Sequence, residues 1–252
     1  MIIELQDRRL IAAIQCVDAV VGEPIPQSLQ IQGPGMRFVR NRLGLYVLTT
    51  APGFEAYTRQ FDPAALVPPP DREILLQVTD PSGQYLPRLL RLVIPRSLEA
   101  EADTSIFRPV RLPLFPAPTF TRPQPGWAIF RAGVSNLAGE PLPWALIQVT
   151  RQSNPILNAL AQADSRGQAL IAVPNIPQTL VSADSEDGVP DLLPDAVTAT
   201  ATVIFDPAVT TIPDPDDLLA RQSDLFTGTL PLSVAAGRSR SISLAFDLSP
   251  PP

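Results

Sequence analysis

Acidic residues are the first candidates for chemistry in this chain. Asp184, Glu186 and Asp187 lie together in a polar loop that ends at Gly188. Calcium loops place oxygen ligands at alternate positions and end in a bidentate carboxylate, and this loop carries a fragment of that pattern. The loop is thus a weak calcium candidate, and a purely solvated loop is the interpretation that we favour. No other metal and no cofactor is predicted.

A second acidic cluster is better explained by helix formation. Asp214, Asp216 and Asp217 surround Pro215 and precede an apolar stretch. An aspartate can cap the first turn of a helix, proline suits its first position, and further carboxylates offset the helix dipole. We therefore predict one short helix here. A glycosidase would need two carboxyl groups facing each other across a cleft, and the sequence shows no sign of one.

The side chains that most enzymes use for proton transfer near neutral pH are missing. All 19 basic residues are arginine, because the chain contains neither lysine nor histidine. Cys16 is the only cysteine and lies in an apolar run, so we predict a buried strand residue rather than a reactive thiol. The chain is accordingly predicted not to be an enzyme.

Charge and hydropathy argue against two classes of partner. The net charge is −6 and the arginines are spread along the chain, whereas a nucleic-acid surface concentrates basic residues. No stretch approaches the ~20 uninterrupted apolar residues that span a bilayer. The first residues also lack the basic and then apolar pattern of a signal peptide. We expect no nucleic acid, no membrane insertion, and synthesis in the cytoplasm.

One sequence pattern occurs twice. Gly22-Glu-Pro-Ile-Pro26 and Gly139-Glu-Pro-Leu-Pro143 each follow an apolar run, and Gly44 and Gly167 each open the next apolar run downstream. The copies are too far apart for a solenoid, whose units run roughly 20–50 residues. We therefore predict two tandem domains of one architecture, residues 1–97 and 127–249.

Short apolar runs separated by proline, glycine and aspartate predict an all-β fold. The 31 prolines among 252 residues disfavour long helices, because proline in a helix interior loses an amide donor and clashes with the preceding turn. The predicted strands are residues 10–17, 29–31, 38–39, 45–49, 74–78, 89–94, 127–134, 144–150, 159–163, 168–173, 197–205 and 239–247.

Residues 98–126 form a proline-rich segment between the two predicted domains. Such a segment favours extended or polyproline conformation and cannot pair as a central strand. It is either a semi-rigid linker or, as its apolar spacing favours, a segment whose Phe107, Phe115 and Phe120 dock on neighbouring surfaces. Trp127 and Trp144 are further interaction candidates, as a carbohydrate-stacking platform or, preferably, as core or interface residues.

Both halves resemble the carboxypeptidase regulatory-like or transthyretin-like β-sandwich. The resemblance rests on residues 17–26 and 41–54 in the first half and on residues 134–149 and 163–171 in the second. Trp144-Ala145 stands where that family usually has Gly-Ala. The resemblance implies two tandem sandwiches joined by the proline-rich segment. Enzymes that share the transthyretin-like sandwich, ring-opening hydrolases of ureide metabolism and intradiol iron dioxygenases, depend on histidine, which this chain lacks.

Two functional hypotheses follow, and an enzyme acting through the acidic clusters is a distant third. The first is a non-enzymatic structural or adaptor subunit of an oligomeric assembly, with other protein subunits as partners. The resemblance extends to contractile injection systems and phage-tail-like particles, where such domains form caps, baseplates or appendages. The alternative is a cell-surface or secreted module that binds a glycan or a protein through loops at one end of a sandwich.

Overall fold

A computed structural model describes residues 10–59, 69–97, 99–121, 126–152, 156–174, 176, 180–181, 192–193 and 196–250. The chain divides into two compact units, each built from three stretches of sequence. Unit 1 comprises Met1–Asp18, Gly22–Pro81 and Pro87–Leu114, and unit 2 comprises Ala19–Val21, Ser82–Leu86 and Phe115–Pro252. Among the described residues, no helix is both long enough and apolar enough to cross a membrane.

Unit 1 contains two β-sheets. Its strands are β1 (Ala12–Asp18), β2 (Gln30–Gln32), β3 (Arg37–Arg40), β4 (Tyr46–Thr50), β5 (Arg72–Thr79), β6 (Arg88–Ile94) and β7 (Val110–Leu114), with a short helix α1 (Glu55–Arg59) after β4. One sheet has the order β3-β4-β1-β7 and the other β2-β5-β6. β7 runs parallel to β1, and the other neighbouring strands are antiparallel.

Unit 2 repeats this plan. Its strands are β8 (Ala128–Asn136), β9 (Leu146–Arg151), β10 (Leu157–Gln162), β11 (Gln168–Val173), β12 (Leu180–Val181), β13 (Leu192–Leu193), β14 (Ala196–Phe205), β15 (Phe226–Ala235) and β16 (Ser239–Phe246). One sheet has the order β11-β8-β16, a second β10-β9-β14-β15, and β12 and β13 pair separately. β16 runs parallel to β8, as β7 does to β1.

The core of unit 2 lies between its two main sheets. Alternate residues of β14, namely Val197, Ala199, Ala201 and Val203, are buried in it, as their spacing predicts for one face of a strand. Leu244 and Phe246 of β16 enter the same core from the other sheet. A second, smaller apolar cluster contains residues of β9, β14 and the 218–225 region, namely Leu146, Ile204, Leu218 and Leu225.

The repeated glycines mark two turns with the same hydrogen bonds in both units. After β1, the Asp18 N–H donates to the Glu23 carbonyl oxygen at 2.8 Å; after β8, the Asn136 N–H donates to the Glu140 carbonyl oxygen at 2.9 Å. Gly22 and Gly139 adopt φ values of +74° and +82°, a left-handed conformation that glycine adopts without strain. The two turns are therefore similar, with one more residue in the unit 1 turn.

The second pair of turns is equivalent atom by atom. The Asn41 Oδ1 accepts the backbone N–H groups of Leu43 and Leu45. In unit 2 the Asp164 Oδ1 accepts those of Arg166 and Gln168. Gly44 and Gly167 follow with φ values of +78° and +73°. These side-chain hydrogen bonds replace the missing backbone bonds of a tight turn, so β3 and β4 correspond to β10 and β11.

One pairing differs between the units. The strand before the second turn pairs with β4 in unit 1, where β3 joins the sheet of β1. In unit 2 the corresponding β10 pairs with β9 and joins the other sheet. In the described part of each sheet, β3 and β10 both have an outer position. The duplicated strand has thus changed sheets while its turn is unchanged.

The predicted short helix forms at its predicted place. Helix α2 (Pro215–Ala220) begins with Pro215, and Asp214 is the N-cap, accepting the Asp216 N–H at 3.2 Å. Leu218 is buried on one side. Arg221 ends the helix and binds the carboxylates of Asp217 and Asp206 at 2.8 and 3.1 Å. The second acidic cluster therefore caps and anchors this helix.

Candidate interaction surface

The outer face of β2, β5 and β6 in unit 1 carries an open groove of about 750 Å³. Its floor is the outward side of β5, where Leu75 and Gln77 alternate with the buried residues Ile74 and Leu76. The groove begins where β2 ends, because the last pair between these strands joins Gln32 and Gln77. Beyond that pair, the Arg72–Leu76 stretch of β5 has no partner on the β2 side among the described residues.

Apolar side chains of β5 and β6 lie diagonally next to one another on the groove and the adjoining sheet face. Leu75 is 50% exposed and Val93, on neighbouring β6, is 47% exposed. Leu89 and Met36 also line the groove. Scattered exposed apolar residues are ordinary, but a contiguous exposed set on one sheet face is typical of a binding surface.

Charged residues on this face are paired across the strands. Arg91 lies opposite Leu75 in register, and its guanidinium approaches the Glu73 carboxylate at 3.5 Å. Both side chains are exposed, so this pair contributes little stability. Arg72 donates to the Pro52 carbonyl oxygen at 3.2 Å. Polar side chains therefore alternate with the apolar ones on this face.

Unit 2 has a smaller groove, of about 400 Å³, at the equivalent place. It begins where β9 leaves β14, and the last pair between them joins Thr150 and Thr200. Thr200 lies opposite Pro231 on β15, just as Gln77 lies opposite Leu89 on β6. By this register, Leu75 corresponds to Thr198 and Leu89 to Pro231.

The two equivalent faces differ in chemistry. The unit 2 face presents hydroxyl groups, on Thr150, Thr198, Thr200, Thr229 and Ser233. The position that changes from apolar to hydroxyl is Leu75, which corresponds to Thr198, whereas Leu89 has an apolar counterpart in Pro231. Because the same strand accommodates Thr198 in unit 2, the exposed Leu75 of unit 1 is not required by the architecture. This contrast makes the unit 1 groove the strongest candidate interaction surface.

The predicted calcium loop cannot be placed. Asp184, Glu186 and Asp187 lie outside the described residues, and their role stays a prediction. Within the described part of the chain, no group of three or more acidic or cysteine side chains is arranged to hold a metal ion.

Four of the five predicted interaction aromatics are internal. Phe115 and Phe120 are buried within unit 2, where Phe120 contacts the Tyr85 ring edge-on at 5.6 Å between centroids. Trp127 and Trp144 are buried as well. Phe107 is 69% exposed. A partner could therefore contact Phe107 directly, whereas the other rings would have to leave their packing first.

Trp144 has an unusual backbone conformation. Its φ is +61°, the one positive value among the described residues other than glycine, and bulky residues rarely adopt it. The Trp144 N–H donates to the Asp164 carbonyl oxygen at 3.1 Å. Such a conformation costs about 1–3 kcal/mol in a residue other than glycine.

Cys16 is buried in β1, as its apolar surroundings predicted. Burial raises the pKa of its thiol from 9.0 to about 12, although the nearby cations of Arg88 and Arg40 oppose that rise. A thiol with such a pKa is protonated at neutral pH and does not act as a nucleophile.

Gln162 is a buried polar residue that sequence reasoning missed. It lies at the end of β10, opposite Leu146, and is fully buried. Neither its Oε1 nor its Nε2 has a hydrogen-bond partner among the described residues. A glutamine inside a strand gives no sequence signal of burial, since its environment depends on what covers the sheet.

Searches of family models, curated proteins and solved structures find no match to this chain.

Proposed function

We propose that this chain is a non-enzymatic structural or adaptor subunit of a larger protein assembly, built from two tandem transthyretin-like sandwiches. The single observation that supports this role best is the exposed Leu75 of β5, which lies beside Leu89 and Val93 of β6 and corresponds to Thr198 in unit 2. Contact with a partner removes such apolar side chains from water, which is favourable. The face therefore binds another protein subunit.

The resemblance of the turns gives this proposal its context. Similar modules form caps, baseplates and appendages of contractile injection systems and phage-tail-like particles, which assemble in the cytoplasm. The equivalent turns of the two units support duplication of one module. After duplication, one copy can bind a partner protein while the other copy keeps a purely structural role.

The test replaces the unit 1 leucines by a residue found on the unit 2 face. Leu75→Thr with Leu89→Thr keeps strand propensity, because threonine is favoured in strands. In the native host, we expect the unaltered chain to elute with other protein subunits at a mass well above its own 27.2 kDa. The double variant should elute at the mass of the free chain, as measured by size-exclusion chromatography with light scattering.

A matched control lies on the equivalent face of unit 2. Thr198→Ala changes the residue that corresponds to Leu75, and it should leave the elution of the complex unchanged. An unaltered chain that elutes as a monomer without any protein partner would contradict the proposal, as would equal losses in both variants.

A further inference from the structure

We propose that β3 binds an acidic, extended segment of a partner protein, which adds a strand to its outer edge. This inference deepens the proposed function and rests on it, because it names the chemistry of one partner of the same unit. It concerns a different element from the groove, so the two proposals can fail separately.

The position of β3 leaves a backbone edge exposed. β3 is the outer strand of its sheet and pairs only with β4 among the described residues. Arg37, Val39 and Arg40 are exposed along its length. An outer strand presents unpaired N–H and C=O groups, and an extended peptide can satisfy them by continuing the sheet.

The charge around β3 is opposite to that of the whole chain. Arg37, Arg40 and Arg42 occur within six positions, and no acidic residue lies between Pro24 and Phe54. The chain as a whole carries a net charge of −6. Concentrated positive charge on an acidic molecule attracts acidic segments and repels basic ones.

Two of these arginines are available to a partner. The Arg40 guanidinium donates to the Pro26 carbonyl oxygen at 2.7 Å and lies over the Tyr46 ring at 5.8 Å. The Arg37 and Arg42 side chains have no hydrogen-bond or ion-pair partner in the described part of the structure. Arg40 is thus held in place while Arg37 and Arg42 can pair with incoming carboxylates.

Apolar side chains flank these arginines. Val39 is 44% exposed and Leu43, at the tip of the turn to β4, is 79% exposed. An added strand presents side chains to alternate faces. Arg37 and Val39 lie two positions apart and share one face of β3, so a segment with acidic residues at alternate positions can place a carboxylate next to Arg37 on that face.

The duplicated strand again supplies an internal comparison. β10 precedes the equivalent turn in unit 2 and is also an outer strand, although of the other sheet; it is uncharged and most of its residues are buried. Arginines on an outer strand are therefore not a requirement of this fold. Charges on outer strands also serve to prevent aggregation, and that simpler role makes a different experimental prediction.

The probe is a fluorescent peptide of alternating glutamate and valine, titrated with the full chain at low ionic strength and followed by fluorescence anisotropy. We expect binding to the unaltered chain and at least about a fivefold loss of affinity in Arg37→Gln with Arg42→Gln, the loss that exposed ion pairs produce. Arg240→Gln is the matched control, because Arg240 is exposed on β16, another outer strand. It should leave the affinity unchanged.

Three further probes separate strand addition from simple charge attraction. The same peptide with N-methyl groups on alternate amides should not bind, since it cannot donate to the β3 edge, and a lysine-valine peptide should not bind either. Equal binding of the N-methylated peptide, an equal loss in Arg240→Gln, or tighter binding of a single-stranded oligonucleotide would overturn the proposal. So would an Arg37→Gln, Arg42→Gln variant that self-associates while the unaltered chain binds no peptide, because that result shows protection against aggregation.

Discussion

Gly44 and Gly167 occupy the same place in the two units but have different surroundings. Both have positive φ values, of +78° and +73°. A Cβ at Gly44 would meet only the end of the Arg40 side chain, at 3.6 Å. A Cβ at Gly167 would lie 2.9 Å from the Val134 carbonyl oxygen and 3.0 Å from the Pro141 Cβ. Glycine is thus favoured in unit 1 by its positive φ value alone, and in unit 2 by its positive φ value and by the close approach of neighbouring atoms.

This difference predicts unequal effects of one substitution. Gly44→Ala should lower the free energy of unfolding by about 1 kcal/mol, the cost of a left-handed conformation for an L-residue. Gly167→Ala should cost roughly 2 kcal/mol or more, because backbone atoms must also move. Urea unfolding of both variants measures the difference, and equal losses would show that the Gly167 contacts relax freely.

The buried amide of Gln162 predicts a stabilising substitution. An unsatisfied buried polar group costs about 1–3 kcal/mol, and methionine has a similar volume without that cost. Gln162→Met should therefore raise the free energy of unfolding by about 1 kcal/mol, measured by urea unfolding. A destabilised variant would show that the amide makes hydrogen bonds in the folded protein, for instance to buried water. Its counterpart in the unit 1 turn, Val39, is apolar.

The raised pKa of Cys16 predicts both low reactivity and a loss of stability in alkali. Above pH 9 the unfolded thiol ionises while the buried thiol, with a pKa of about 12, keeps its proton. The unfolded state then binds fewer protons, so stability falls by up to about 1.4 kcal/mol per pH unit between pH 9 and 12. Cys16→Ala should lose this part of the pH dependence in denaturant titrations. In the native protein at pH 8, thiol reagents should label Cys16 only after denaturant is added.

At the scale of elements, a cap and an ion pair position α2. A helix of six residues has few internal hydrogen bonds, so its ends matter more than its propensity. The Asp214 side chain caps the first turn, and Arg221, at the end of the helix, forms ion pairs with Asp206 and Asp217. Leu218 can then pack in the small apolar cluster of unit 2.

Removing the cap should loosen this helix. Asp214→Ala should lower the free energy of unfolding by about 1 kcal/mol, whereas Asp214→Ser, which keeps a capping oxygen, should have little effect. Thermal unfolding monitored by circular dichroism compares the two. Equal losses would indicate that the carboxylate charge, rather than the hydrogen bond to Asp216, stabilises the turn.

The sequence predicted strands wherever apolar residues alternate without interruption. It missed the two-residue strands β12 and β13 and two longer strands that contain proline. β7 includes Pro113 and β15 includes Pro231, and each lies at the edge of its sheet. Proline cannot donate a backbone hydrogen bond to a neighbouring strand and is tolerated on edge strands. A segment that contains proline is therefore not recognised as a strand from its sequence pattern. The predicted helix α2 was recognised because its cap, its proline and its leucines all agree.

The interaction surfaces could not be predicted for a different reason. Leu75 and Leu89 belong to an alternating pattern, but the pattern does not say which face is covered. Their shared groove exists because β5 and β6 pair in a register that β2 follows only in part. Such an arrangement depends on pairing between distant segments, whereas capping and turn chemistry are local.

At the scale of the whole molecule, the two units share one feature: the sheet that contains β1, and likewise the sheet that contains β8, has a parallel strand at one edge. β7 pairs with β1 from Ile14 to Asp18, and β16 pairs with β8 from Ile129 to Asn136. The first strand of each unit is therefore central in its sheet only when the last strand is present. The other main strand pairs of both units are antiparallel, and some of them join distant segments, such as β2 with β5 and β9 with β14.

A truncation tests this dependence. A chain that ends at Gly237 lacks β16, and we expect β8 and β11 to lose most of their hydrogen-exchange protection while β1 and β4 keep theirs. Hydrogen exchange followed by mass spectrometry measures both sets of peptides. A chain that ends at Ser249 is the control and should exchange like the full chain. Retained protection of β8 without β16 would show that its partnership with β11 suffices.

The parallel strands β7 and β16 also determine when the sheets of β1 and β8 can be completed during synthesis on the ribosome. The sheet of β1 is complete once Leu114 has been synthesised, before the first residue of β8 is made. β8 in turn lacks its second neighbour until β16, which ends at Phe246, has been made. Throughout that interval the nascent chain presents one unpaired side of β8, and such edges invite pairing with other chains. In each unit the first strand therefore stays exposed on one side until the parallel strand that pairs with it has been synthesised.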